Sequence, residues 1–151
     1  MPSRRCLLSI FAWFLAAVLL GGTGARAGER IAGPVEADIL RIIDGDTLLV
    51  SARPWPQQRV EVYVRLRDID TPELRARCPA VRAAAKAARD RLVWMAGKHG
   101  RVTLTDIEGD KYFGRIVATV AFDGGLNPAH DLRAAGLAVS YDGGRKAPAS
   151  C

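Results

Sequence analysis

Residues 60–73 read Val-Glu-Val-Tyr-Val-Arg-Leu-Arg-Asp-Ile-Asp-Thr-Pro-Glu. Val60, Val62, Val64 and Leu66 alternate with Glu61, Tyr63, Arg65 and Arg67, the period of two of a half-buried strand, with Arg65 on its polar face. The run then turns into Asp70-Thr71-Pro72-Glu73. Taken alone, this is a helix-start signature, in which Asp70 caps, Pro72 sits in the first turn and Glu73 reaches back.

Upstream, residues 35–43 and 47–51 are predicted strands joined across Asp44-Gly45, a favoured hairpin dipeptide. Residues 53–58 carry two prolines and are predicted loop. Downstream, residues 79–96 are alanine-rich, with Val81, Ala85, Ala88, Leu92 and Met95 as an apolar helical stripe and Gly97 placed to end the helix. Residues 101–105 form a short predicted strand, and Ile116, Ala118, Val120 and Phe122 alternate as another. Asn127-Pro128 is a helix start and Gly136 a stop. Three strands, a helix, two strands and a second helix match an α+β fold: a five-stranded OB-type Greek-key β-barrel with two or three helices. Such barrels bind oligonucleotides across one face, but a fold alone does not establish an activity.

The ends bound where the domain works. Arg4 and Arg5 precede an uncharged, mostly apolar run over residues 7–20, and Ala25-Arg26-Ala27 is a small-x-small site, so residues 1–27 read as a secretory signal peptide. The competing reading is an uncleaved anchor, for which the apolar run is short. Cleavage leaves 124 residues, one domain's length, with residues 28–34 as a loose lead-in, residues 35–141 as the domain and residues 142–151 as an irregular tail. Without Arg4, Arg5 and Arg26, 19 basic residues face 16 acidic ones, a net charge of +3 that only weakly favours a polyanionic partner. The expected location is exported, periplasmic or secreted, with no membrane attachment after cleavage and a monomeric chain. Cys6 leaves with the signal. Cys78 and Cys151 then read as a disulfide, the alternatives being free thiols or metal ligands, and two cysteines without a nearby histidine make a poor zinc site.

The chemistry lies in three charged clusters. Asp44 and Asp46 flank the Asp-Gly turn, which alone signals only a hairpin; functionally, Asp46 projects a carboxylate into a groove and Asp44 supports it from behind. Asp70 supplies a second carboxylate if both acids meet at one site. Calcium takes six to eight oxygens, so two aspartates and a carbonyl leave room for water and a phosphate oxygen, with Glu73 close by. Arg65 and Arg115 bring the side-chain head best shaped for phosphate and act as electrostatic clamps. Several carboxylates would repel a polyanion, since unit charges 4 Å apart interact by about 4 kcal/mol at an effective dielectric of 20. They make sense beside a phosphate mainly with a cation between, and a cation with an arginine pair stabilises charge in phosphoryl transfer.

Over residues 35–141 the chain resembles the staphylococcal nuclease-like, or thermonuclease, family. The resemblance rests on Ile43-Asp44-Gly45-Asp46-Thr47, Arg65 through Asp70-Thr71-Pro72-Glu73, Asp110-Lys111-Tyr112-Phe113-Gly114-Arg115, and Ala135-Gly136-Leu137-Ala138. The spacing from Arg65 to Glu73 is the most specific of these. The resemblance implies a calcium-dependent endonuclease on an OB-fold acting on DNA and RNA. It implies Asp46 and Asp70 as calcium ligands with the Thr71 carbonyl, Glu73 as general base, and Arg65 and Arg115 on the phosphate. It also implies cleavage of the bond to the 5′ oxygen, leaving a 3′-phosphate. Lys111, Tyr112 and Tyr141 are the candidate substrate contacts. The chain departs from the family in two places: Phe113 lengthens the Asp-Lys-Tyr-Gly-Arg run by one residue, and Gly143 stands where a second tyrosine is expected two residues after Tyr141.

Other residues read more plainly. Arg82, Lys86 and Arg89 form a helical stripe expected to be solvated, with a DNA backbone contact as the minority view. His99 and His130 have no paired acid in sequence and are not assigned catalysis. Trp94 is expected in the core. The competing function is a non-catalytic OB-fold module that holds nucleic acid or another ligand without cleaving it, although a pure binder gains nothing from keeping Asp46, Asp70 and Glu73 near Arg65.

Overall fold

The computed structural model describes residues 29–144 and Cys151; the signal peptide falls outside these residues, as does most of the tail. The chain order is β1 (Arg30–Ile31), β2 (Val35–Ile42), β3 (Thr47–Arg53), β4 (Val60–Leu66), β5 (Ile69–Asp70), α1 (Pro79–His99), β6 (Arg101–Gly109), β7 (Arg115–Phe122), α2 (Pro128–Ala134) and β8 (Val139–Ser140). β2, β3 and β4 form an antiparallel meander. β4 then pairs in parallel with β7, with Val64 opposite Ile116. β7 pairs with β6, and β6 returns to β2, which closes five strands into a mixed barrel. With α1 and α2 this is the expected OB-type α+β fold.

Inward-facing Leu48, Val50, Val64, Leu66, Leu104, Val120 and Phe122 fill the barrel. Ala88, Leu92 and Met95 close its end from α1, joined by Leu132 from α2. The three- and four-residue spacing puts these α1 side chains on one face, with small alanines where the helix comes closest. Val60, at the head of the alternating run, is exposed, so the buried face of β4 begins further along the strand.

Four expectations need correction. α1 does not stop at residue 96. Gly97 is helical, and the stop is Gly100, left-handed at φ 33°, whose N–H donates to the Ala96 carbonyl. The lead-in is not wholly loose, because Arg30 and Ile31 pair with Glu108 and Ile107. The strand expected over 101–105 continues to Gly109 through a register shift between Thr105 and Glu108. Trp94 lies off the buried stripe, 51% exposed, with the Arg91 guanidinium 4.7 Å from its ring centre. The second helix starts as read: the Asn127 side chain accepts from the N–H groups of Ala129 (2.9 Å) and His130 (3.2 Å).

A disulfide joins Cys78, the residue before α1, to Cys151. Among the described residues no helix is long and apolar enough to cross a membrane.

Candidate active site

The site begins at the tight connection between β2 and β3. Ile43 N–H donates to the Thr47 carbonyl (2.9 Å), and Asp46 N–H donates to Asp44 Oδ1 (3.1 Å). Gly45 is buried within this turn, and a Cβ there would lie 2.8 Å from Ala88 Cβ and 2.9 Å from Thr71 Oγ1. Glycine is required by this close approach of backbone to helix and loop. Leu66 N–H donates to the Asp46 carbonyl (2.8 Å), which fixes the turn against the end of β4.

Asp46 is therefore held deep, its side chain 4% exposed. Oδ1 accepts from the Thr47 hydroxyl (3.0 Å) and Arg65 Nη1 (3.1 Å); Oδ2 accepts from the Thr71 N–H (3.0 Å) and hydroxyl (3.2 Å). Burial pushes its pKa up to about 6, and nearby Asp44 adds to the rise; Arg65, the Thr71 N–H and the Thr47 hydroxyl offset only part of it.

Arg65 is not on a solvated face. Its side chain is 13% exposed, and Nη2 donates to Asp70 Oδ1 (2.6 Å) and the Ile69 carbonyl (3.3 Å). One guanidinium thus bridges Asp46 and Asp70. Burial works against its charge, but Asp46 and Asp70 outweigh burial and hold its pKa above the ordinary arginine value.

The C-terminal segment reaches this point through the two-residue β5–β8 ladder, Ile69 opposite Ser140 and Asp70 opposite Val139. Tyr141 N–H donates to the Asp68 carbonyl (3.1 Å), and the Arg65 guanidinium lies 5.5 Å from the Tyr141 ring centre. Tyr141 hydroxyl donates to the Gly144 carbonyl (2.8 Å).

The third cluster is the β6–β7 hairpin tip. Asp110 N–H donates to the Arg115 carbonyl (3.0 Å), and Arg115 Nε pairs with the Asp110 carboxylate. Arg115 is the first residue of β7, opposite Tyr63, so the extra residue Phe113 is taken up in the tip and does not shift the arginine out of the site. The Tyr112 ring lies 4.6 Å from the Arg115 guanidinium and 5.3 Å from Lys111 Nζ.

Asp44, Asp46, Thr71 and Glu73 share one cleft of about 650 Å³ with Arg65, Arg115, Lys111, Tyr112 and Tyr141. Asp70 is the exception: tied to Arg65, it does not line the cleft. Sequence reasoning missed Thr47, which donates to Asp46, although it follows directly in the motif. It also missed Arg67, in the turn just after β4, which lines the cleft and donates to Glu108 Oε2 (3.4 Å). Of the helical stripe, Arg82 donates to the Ala76 and Arg77 carbonyls, Lys86 pairs with Asp90, and Arg89 donates to the Ile42 and Ile43 carbonyls behind the turn.

Seven carboxylates line the cleft: Asp44, Asp46, Asp68, Glu73, Glu108, Asp110 and Asp142. Four cationic groups oppose them, Arg65, Arg67, Lys111 and Arg115, a formal excess of three negative charges. Among the described residues no three His, Cys, Asp or Glu side chains gather into a metal cage. The donors at hand are hard oxygens, and Asp46 is a buried carboxylate that Arg65 compensates incompletely. These residues fit a hard cation that draws much of its shell from water and a bound phosphate.

A closed OB-type barrel with an arginine-bearing, acid-rich cleft at its β2–β3 turn defines a nuclease-like or nucleic-acid-binding domain. Residues 63–149 match the staphylococcal nuclease homologue family, and the chain belongs to it. The match starts inside β4, so Asp44 and Asp46 lie outside it and join the site through the fold. No curated protein matches the chain.

Proposed function

We propose that this domain is an exported, calcium-dependent phosphodiesterase that hydrolyses DNA and, by the same chemistry, RNA. The observation that carries the proposal is the cleft's charge: it presents arginines to a phosphate yet holds three more carboxylates than cations. A nucleic acid would be repelled there unless a divalent cation entered with it. Asp46 and the Thr71 carbonyl, on the cleft wall, are proposed ligands, joined by Asp70 once it turns from Arg65 toward the cleft, and Asp44 supports Asp46 by accepting its N–H. Calcium, when bound, supplies Lewis-acid stabilisation of charge on the phosphate.

The chain's own groups have distinct tasks. Glu73 lines the cleft and takes the proton from the attacking water. Arg65 and Arg115 stabilise the negative charge that grows on the phosphate. Both are aimed in advance by carboxylates, Arg65 by Asp46 and Asp70, Arg115 by Asp110. Lys111, Tyr112 and Tyr141 contact the adjoining nucleotides. Export is supported by the Cys78–Cys151 disulfide, a bond that persists in oxidising compartments.

The test is digestion of labelled single-stranded DNA and RNA by the mature protein over a calcium titration, with and without chelator, followed by analysis of product ends. Products that need calcium and carry 3′-phosphates support the proposal. Tight binding without cleavage under any metal favours the binding module, for which one observation speaks: both arginines are already paired with acids. N-terminal sequencing of protein recovered outside the cytoplasm should begin at Gly28.

A further inference from the structure

We infer that Phe113 is a stacking platform for an unpaired nucleobase of the substrate, just beyond the cleft; the inference rests on the nucleic-acid function proposed above. Phe113 is 110% exposed, an aromatic ring presented entirely to water at the tip of the β6–β7 hairpin. The tip is not a loose loop. Arg115 N–H donates to the Tyr112 carbonyl (3.2 Å), Asp110 N–H closes onto Arg115, and Gly114 takes the left-handed φ of 79° that lets the chain turn back. The ring is thus held outward by a hydrogen-bonded turn whose other side chains, Lys111, Tyr112 and Arg115, line the cleft.

Chemistry narrows the occupant. Tyr112 already has the cationic heads of Arg115 and Lys111 near its ring. Phe113 adds a second, solvent-facing π-face on the same hairpin tip, one residue along the chain from Tyr112. An aromatic face beside cations matches a nucleobase flanked by phosphates, and such stacking tolerates any base. Duplex bases are already stacked, so the platform selects single strands.

The experiment compares Phe113→Ala, Phe113→Leu and Phe113→Trp, each in a Glu73→Gln background to suppress cleavage, with calcium present. Affinities for an oligothymidylate and for a blunt duplex are measured, with sedimentation of each variant. The expected result is at least about a 5-fold loss of single-strand affinity for Ala and Leu. Trp should retain affinity and change its emission on binding, beyond any change in the parent, and duplex affinity should not move. In the cleaving protein, Phe113→Ala should raise KM with kcat unchanged. Leu matching Phe, equal losses on single strand and duplex, or a change of mass in sedimentation would each overturn the platform. If the parent binds and cleaves single strands while the variants match it, Phe113 alone is misassigned; if the parent neither binds nor cleaves, the function proposed above fails and the platform with it.

Discussion

Gly45 and Thr71 are packed so closely that a Cβ on the glycine would lie 2.9 Å from the threonine hydroxyl oxygen and 3.0 Å from its Cβ. Thr71 in turn holds Asp46 Oδ2 through both its N–H and its hydroxyl. The turn glycine therefore acts on the carboxylate through a neighbour. Gly45→Ala should destabilise the domain by about 1–3 kcal/mol, the usual range for overpacking. Ala88 blocks relaxation on the other side, with its Cβ at 2.8 Å. Urea denaturation reads the stability, and calcium-dependent cleavage should fall with it. A variant of unchanged midpoint would show that the turn opens freely and that the packing is not restrictive.

Glu73→Gln keeps the side chain's shape and removes its ability to accept a proton. Turnover should drop by about 10²–10⁴-fold, the span typical of a lost general base, while oligonucleotide affinity stays within about 3-fold. Single-turnover rates beside anisotropy titrations separate the two. Undiminished turnover would remove Glu73 from proton transfer and shift that role to solvent.

The barrel was legible because its signals are periodic. Val64 and Leu66 alternate with Arg65 and Arg67, and Ala85, Ala88, Leu92 and Met95 repeat at helical spacing, each pattern matching one buried face. The β5–β8 ladder was not, because two-residue strands carry no period and their pairing joins residues 69 apart in sequence, Asp70 with Val139. Yet that ladder is what delivers Tyr141 to Arg65. Arg65 itself misled: alternation shows that it shares no face with Val64, but not that Asp46 and Asp70 would enclose it. At the helix end two glycines were available, and only backbone conformation distinguishes helical Gly97 from left-handed Gly100. The motif around Asp46 marked the acids of this turn, while the reason for Gly45 lies in Ala88 and Thr71, far along the chain.

Arginine is not interchangeable with lysine at position 65. One guanidinium spans Asp46 and Asp70 with separate nitrogens, Nη1 and Nη2, and a lysine ammonium is a single point charge that lacks this fork. Arg65→Lys should leave one buried carboxylate poorly compensated and cost about 1–3 kcal/mol of stability, along with most activity. Arg115→Lys should lose activity with a smaller stability cost, since Arg115 pairs with Asp110 alone among acids and is more exposed. Thermal melts alongside cleavage assays test the contrast; equal melting temperatures for the two variants would contradict it.

Two aspartates should give stability opposite pH dependences. Asp46 titrates near 6 when folded, above its ordinary 3.8, so in calcium-free protein its contribution worsens as pH rises from about 4 to about 6. Asp131 is lowered by its hydrogen bonds from Arg91, at 2.7 and 2.8 Å, so its contribution is complete above 3.8 and is lost only as pH falls below that. The melting temperature of Asp46→Asn minus that of wild type should therefore climb between pH 4 and 6 and then level. The same difference for Asp131→Asn should stay negative at neutral pH and close only in stronger acid. Added salt should shrink the Asp131 effect, because that pair is partly exposed. A flat Asp46 difference across this range would mean that burial does not hold back its ionisation.

The Cys78–Cys151 bond closes a loop of 73 residues around α1, β6, β7 and α2. In the chain-entropy model a loop of that size stabilises by roughly 4 kcal/mol, chiefly by restricting the unfolded chain. Cys151→Ser should lower stability by about 2–4 kcal/mol. Neither cysteine lines the active-site cleft, so cleavage at low temperature should be nearly unchanged. Denaturation with and without reductant isolates the bond: wild type should shift on reduction to the midpoint of Cys151→Ser, and the variant should not move. Loss of activity at temperatures where the variant remains folded would instead mean that the bond at Cys151 bears on the cleft as well as on stability.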